Sequence, residues 1–104
     1  MPDITNIYYH PEELGLTFID EIDLGEQYEF DIHVVFKDGD GKLYYAHDSG
    51  CSCPVPFEGY HGLQDLDIIT KDNIESFEST IKGLDRITMA ERMQFIDNIR
   101  KHLN

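Results

Sequence analysis

Residues 28–36 read Tyr28-Glu29-Phe30-Asp31-Ile32-His33-Val34-Val35-Phe36, and this stretch decides the fold. Large hydrophobic side chains occupy every even-numbered position, whereas three of the four odd-numbered positions between them are polar. A period of two that is kept over nine residues predicts a β-strand with one buried face.

The strand leads into a turn and a second strand. The turn reads Lys37-Asp38-Gly39-Asp40-Gly41-Lys42, and β-prone residues follow at 43–46. An Asp-Gly pair between two such runs predicts a hairpin, because glycine reaches the positive φ that a tight turn requires. Upstream, a strand is predicted over residues 16–24 and a short additional one over residues 4–9. Residues 1–48 are therefore expected to form an antiparallel meander of three to four strands.

Downstream the period becomes helical. Asp72 with Glu75 and Thr88 with Glu91 have capping-box spacing, which predicts two helix starts within residues 71–104. The apolar stripes of these helices are Ile74, Phe77, Ile81 and Leu84, then Met89, Met93, Ile96, Ile99 and Leu103. We expect them to cover the sheet, with Phe30, Ile32, Val34 and Phe36 packed against Phe77, Ile81, Met93 and Ile96.

Strands followed by helices predict an α+β fold, with both helices packed on one face of the sheet. A chain of 104 residues supports one hydrophobic core, so residues 1–104 are expected to form a single domain. Its parts are the meander (1–48), a Cys/Pro loop (49–70) and the helical segment (71–104).

Negative charge is concentrated in the first two-thirds of the chain. The net charge is −13, and residues 1–70 contain fifteen acidic residues against two lysines, whereas residues 71–104 contain six of each sign. Such a surface repels nucleic acid and anionic membrane and attracts basic partners. Solubility alone is the competing explanation. The carboxylates expected to bind a basic protein surface are Asp20, Asp23, Glu26, Glu29 and Asp31.

The loop His47-Asp48-Ser49-Gly50-Cys51-Ser52-Cys53-Pro54-Val55-Pro56-Phe57-Glu58 holds both cysteines. A disulfide across one intervening residue closes a strained ring and is not expected. The favoured hypothesis is structural: turn chemistry at residues 48–50, small buried thiols, and Phe57 anchored on the sheet.

Two chemical hypotheses for this loop remain open. A zinc site would use four N and S ligands, namely His47, Cys51, Cys53 and His61. A thiol-dependent site would use Cys51 or Cys53 as nucleophile with His47 or His61 as base and Asp48 as orienting group. Neither matches a known catalytic or zinc-finger spacing, so no enzyme activity and no cofactor are expected, with zinc as the alternative.

The segment from Asp48 to Glu58 resembles a family of small proteins of unknown function from bacteriophages of actinobacteria. The Asp-Ser-Gly-Cys-Ser-Cys-Pro-x-Pro-Phe-Glu string carries the resemblance, together with the preceding residues 44–46 and the helical tail. It implies a phage gene product and no particular activity. Without a basic and apolar leader or a long apolar run, the chain is expected in the cytoplasm, that of the host if it is phage-encoded.

The expected function is a non-enzymatic interaction protein that binds a basic surface of a host or phage protein, with nucleic-acid mimicry as one version. The alternative is a metal-binding or thiol-dependent module at the Cys-x-Cys loop. Neither direct nucleic-acid binding nor membrane binding is expected, and the helices would be free to support a homo-oligomer.

Overall fold

The computed structural model describes residues 6–25, 28–51, 56–57, 59–60, 62–85 and 87–103, apart from the side chain of Cys51. The sheet and helices follow in chain order as β1 (Thr17–Asp23), β2 (Glu29–Lys37), β3 (Leu43–Cys51), β4 (Asp67–Ile69), α1 (Ile74–Lys82) and α2 (Met89–His102). Four strands precede two helices, so the predicted α+β fold is confirmed. In the described part of the chain, neither helix is long and apolar enough to cross a bilayer.

The four strands form an antiparallel meander in the order β1-β2-β3-β4. The predicted hairpin joins β2 to β3, and Lys37 pairs with Leu43 at its closed end. Within the turn, one carboxylate oxygen of Asp38 accepts hydrogen bonds from the backbone N–H groups of Asp40 and Lys42. Gly41 takes a φ of 88°, a conformation that costs glycine little.

The fourth strand is not where the sequence predicted it. Residues 6–9 form a turn, while residues 4 and 5 lie outside the described part of the chain. The fourth strand is instead β4, which pairs with β3. Because β3 continues to Cys51, both β4 and the end of β3 lie within the segment that was predicted as a loop.

The sheet buries side chains on both faces, and the predicted face of β2 was wrong. The even-numbered residues Ile32, Val34 and Phe36 pack against the N-terminal segment and the loop after β3, in a core that includes Ile7, Leu16, Tyr44, Ala46, Phe57 and Leu66. Val35 points to the other face, where the helices supply Ile74, Phe77, Ile81, Phe95, Ile96 and Ile99. Alternation identified a strand, but a central strand covered on both sides does not reveal which face the helices cover.

Of the two predicted capping boxes one is confirmed, and the predicted burial of the methionines was wrong. Thr88 and Glu91 form the predicted capping box. The box at Asp72 was wrong, because α1 is preceded by Asn73 and no side chain caps it. Met89 and Met93, which were predicted to lie in the core, are exposed. Met93 lies beside Asp20 of β1, and the buried residues of α2 are Phe95, Ile96 and Ile99.

Candidate functional site

The β2–β3 register brings two histidines and a carboxylate together on one face of the sheet. It is the face of Val35, which the helices cover farther along the strands. His33 lies directly opposite His47, and the two rings stack with centroids 4.1 Å apart and planes 9° apart. Asp31 precedes His33 by two residues and therefore points to the same face. We name Asp31, His33 and His47 the histidine cluster.

Hydrogen bonds connect the cluster to itself and to Tyr45. Nε2 of His47 lies 2.6 Å from Oδ1 of Asp31, and Nε2 of His33 lies 3.8 Å from the same oxygen. On the other side of the ring, Nδ1 of His33 is 2.6 Å from the Tyr45 hydroxyl. The Tyr60 hydroxyl donates to the backbone carbonyl of His47 and fixes β3 at this point.

Burial differs strongly within the cluster. The His33 side chain is 4% exposed, whereas that of His47 is 43% exposed. Burial and, to a smaller extent, the neighbouring His47 lower the pKa of His33 to about 4, although Asp31 opposes the shift. Burial likewise raises the pKa of Tyr45 to about 12, with a contribution from Asp67. At neutral pH the cluster therefore offers a neutral imidazole at His33 beside a phenol that keeps its proton.

A separate acidic cleft of about 300 Å³ lies between β1 and α2. Apolar groups from Ile22, Ile87 and Phe95 contribute to its lining. The remaining lining residues are Gln94 and four acidic residues, Asp20, Glu21, Asp23 and Glu91. The register of β1 places Asp20 on the helix-covered face and Glu21 and Asp23 on the opposite face, where Glu21 accepts a hydrogen bond from the Tyr8 hydroxyl. No basic residue is among the described residues that line this cleft, which we name the acidic cleft.

The acidic cleft continues along α2 into a second depression. Asp20 lines both, and Met93, Asp97, Asn98 and Lys101 contribute to the second. The amide of Asn98 donates to Asp20 at 3.2 Å, so α2 is tied to β1 at the junction. Met93 is 40% exposed there, which places a flexible apolar side chain beside the carboxylates.

The five carboxylates predicted to form one interaction surface do not share a face. Asp20 pairs with Val35, on the helix-covered face, and Asp23 pairs with Ile32, on the opposite face. Asp31 belongs to the histidine cluster, and Glu29 lies at the far end of β2 opposite Cys51. Glu26 lies outside the described residues. Of the described members, only Asp20 and Asp23 are among the residues that line the acidic cleft, and of these two only Asp20 lies on the helix-covered face.

The predicted Cys-loop residues are only partly described. His47 is in the histidine cluster, and Cys51 ends β3 with its side chain undescribed. Cys53 and His61 lie outside the described residues, so the four-ligand zinc hypothesis and the thiol hypothesis stay predictions. The anchoring role of Phe57 is confirmed, because its ring is fully buried in the core that includes Ile32 and Val34.

Sequence reasoning missed His33, which was counted as one of the polar residues of an alternating strand. The signal lay in the hairpin. Once Lys37 pairs with Leu43, the residues four positions away on each strand are His33 and His47. Fixing the turn length would therefore have predicted the histidine pair.

The fold defines a small α+β protein in which a four-stranded antiparallel meander carries two helices on one face. The chain belongs to a family described as a domain of unknown function (DUF7574), whose model matches residues 5–104. No curated protein and no solved structure matches the chain. The family description names no activity, so function has to be argued from the two sites.

Proposed function

We propose that this protein is a non-enzymatic interaction module that binds a basic, partly apolar segment of another protein in the acidic cleft. The observation that carries the proposal is the lining of the cleft, where four acidic residues occur with three apolar ones and with no described basic residue. The resemblance to phage proteins favours a partner among host or phage proteins.

The lining matches the two parts of an arginine or lysine side chain. Such side chains bury an aliphatic stem against apolar surface and keep the charged head near polar groups. In the cleft, Ile22 and Phe95 are suited to the stem and Asp20 and Glu91 to the head. Arginine fits better than lysine, because a guanidinium can contact two carboxylates in a fixed plane.

The neighbouring exposed methionines support a partner segment rather than a single side chain. Met89 and Met93 lie on α2, and Met93 lines the depression that adjoins the cleft. Methionine adapts its shape and is common on surfaces that bind amphipathic peptides. The proposed partner therefore presents basic residues next to apolar ones.

The wider charge of the protein supports fast association. Its net charge of −13 attracts a basic segment from a distance, an effect that is screened beyond about 8 Å at physiological ionic strength. Nucleic-acid mimicry is not part of the proposal, since the predicted row of carboxylates divides between two faces of the sheet.

The test compares two variants that have the same net charge. The cleft variant carries Asp20→Asn, Asp23→Asn and Glu91→Gln, and glutamine keeps the capping box at Thr88. The control variant carries Asp40→Asn, Asp72→Asn and Glu75→Gln, all exposed residues outside the cleft. Fluorescence anisotropy then measures binding of a synthetic amphipathic peptide of arginine and leucine to each protein at low and at physiological salt.

We expect the cleft variant to bind at least about tenfold more weakly than the control variant, a difference of about 1.4 kcal/mol. The difference should persist at physiological salt, because contacts inside a cleft are screened less than exposed charges. Equal weakening in both variants would mean that peptide binding depends on net charge alone, and the proposal would then be wrong.

A further inference from the structure

We propose that the histidine cluster is a binding site for a divalent transition-metal ion, with Zn²⁺ as the representative ligand. The site is distinct from the acidic cleft, and it differs from the zinc hypothesis based on the cysteines. It requires only Asp31, His33 and His47, whose ligand atoms all lie within 4.8 Å of one another.

The donor set determines the class of ion. Two imidazole nitrogens and one carboxylate oxygen suit zinc and the neighbouring transition metals. Calcium and magnesium prefer sites made of oxygen ligands alone, so they fit poorly. Three protein ligands leave at least one coordination position for water or for a small anion.

The strands provide a rigid base for two of the ligands. Asp31 and His33 are two residues apart on β2, a spacing that places both side chains on one face. His33 is almost fully buried and lies 2.6 Å from the Tyr45 hydroxyl through Nδ1. When Nδ1 of His33 carries the proton and donates a hydrogen bond to the Tyr45 oxygen, Nε2 has a free lone pair. This lone pair faces Asp31 and is available to the ion. Metal-binding histidines are commonly oriented by such a bond on their other nitrogen.

His47 supplies the adjustable ligand. Its ring now stacks parallel to that of His33, and a nitrogen lone pair lies in the plane of its ring. Both imidazoles can therefore coordinate one ion only if one ring turns, and the exposed His47 has the room to do so. Coordination would replace the 2.6 Å hydrogen bond between His47 and Asp31, and both would remain beside the ion.

The surrounding charge favours a cation. Asp31 supplies one negative charge directly, and the strongly acidic sheet raises the local concentration of cations.

Isothermal titration calorimetry with Zn²⁺ and visible absorption with Co²⁺ test the site in full-length protein purified without a metal-chelating tag. We expect one equivalent to bind. The variants His47→Gln and Asp31→Asn should each weaken binding by at least about tenfold, and Tyr45→Phe by about tenfold through loss of the bond that orients His33. Because the three substituted positions are all at least partly exposed, these variants should keep their far-ultraviolet circular dichroism.

Three controls separate this site from others. A variant with Cys51→Ser and Cys53→Ser removes the thiols of the cysteine hypothesis, His10→Gln removes the exposed group formed by His10, Glu12 and Glu13, and His102→Gln removes an unrelated histidine. All three should bind the ion with unchanged affinity. The proposal is overturned if no equivalent binds, if the thiol or His10 control loses binding, or if His47→Gln and Asp31→Asn bind as tightly as the unaltered protein.

Discussion

His33 and His47 lie face to face across β2 and β3, with ring centroids 4.1 Å apart, although only His47 is open to solvent. The pair joins a buried neutral imidazole to an exposed one that contacts Asp31. Protonating His33 would place a charge in a buried position next to the His47 ring, where water cannot solvate it. The cost of that charge links the stability of the fold to pH.

Stability should fall as the pH is lowered from about 6.5 towards about 4. The pKa of His33 is about 4 in the folded chain and 6.5 ordinarily, so the unfolded chain binds more protons in this window. Between pH 7 and pH 5 the loss should be about 2 kcal/mol. Urea denaturation at several pH values, with a chelator present, measures it.

The variant His33→Gln provides the control for this pH dependence, because glutamine is polar but does not titrate in this range. Its free energy of unfolding should change less between pH 7 and pH 5, whatever its absolute stability. Few carboxylates titrate above pH 5. An unchanged slope in His33→Gln would show that other groups cause the loss.

The two faces of the sheet should contribute to stability independently. Phe36 and Ile81 are both fully buried, but they belong to separate cores. We expect Phe36→Leu and Ile81→Val to cost about 1 kcal/mol each. In the double variant the costs should add to within about 0.5 kcal/mol, as measured by urea denaturation. A coupling above about 1 kcal/mol would mean that the sheet does not separate the two cores.

The sequence predicted the elements better than it predicted their surroundings. Alternation along residues 28–36 and the Asp-Gly turn are local signals, so β2, the hairpin and the α+β order were predicted correctly. Which residues cover Ile32 and Val34 is a long-range property. The covering groups include Ile7 and Phe57, whose positions follow from packing rather than from a periodic pattern.

The candidate sites depended on the same distinction. Asp31 and His47 were each selected for a different role, one in an acidic surface and one in a cysteine site. Only the strand register places them together and adds His33. The acidic cleft was likewise visible only in part, because Glu91 reaches it from α2 and charge counting had assigned the helical segment no excess charge.

The two predicted helix caps should respond differently to mutation. Thr88 accepts a hydrogen bond from the backbone N–H of Glu91, and Glu91 accepts one from that of Thr88. Thr88→Ala should therefore cost about 1 kcal/mol. Asp72→Ala should change stability by less than about 0.5 kcal/mol, since its side chain caps nothing. Thermal unfolding of both variants tests this, and similar losses would contradict it.

The loop after β3 should depend on one carboxylate. The backbone N–H of Phe57 donates to Asp48 at 2.7 Å, and Phe57 itself has a φ of 63°. Its buried ring contacts those of Tyr8 and Tyr60 at centroid distances of 5.4 and 5.2 Å. The aspartate therefore holds the backbone in an unusual conformation that allows the ring to enter the core.

Asp48→Ala should destabilise the protein by about 1–3 kcal/mol, because it leaves the Phe57 N–H without its acceptor. Asp48→Asn retains an acceptor oxygen at the same place and should cost less than about 1 kcal/mol. Urea denaturation gives both values, and hydrogen exchange at the Phe57 amide gives the local effect, with protection lost in Asp48→Ala and kept in Asp48→Asn. If the two variants lose stability equally, the charge of Asp48 matters rather than its hydrogen bond, and Phe57 must be held by packing alone.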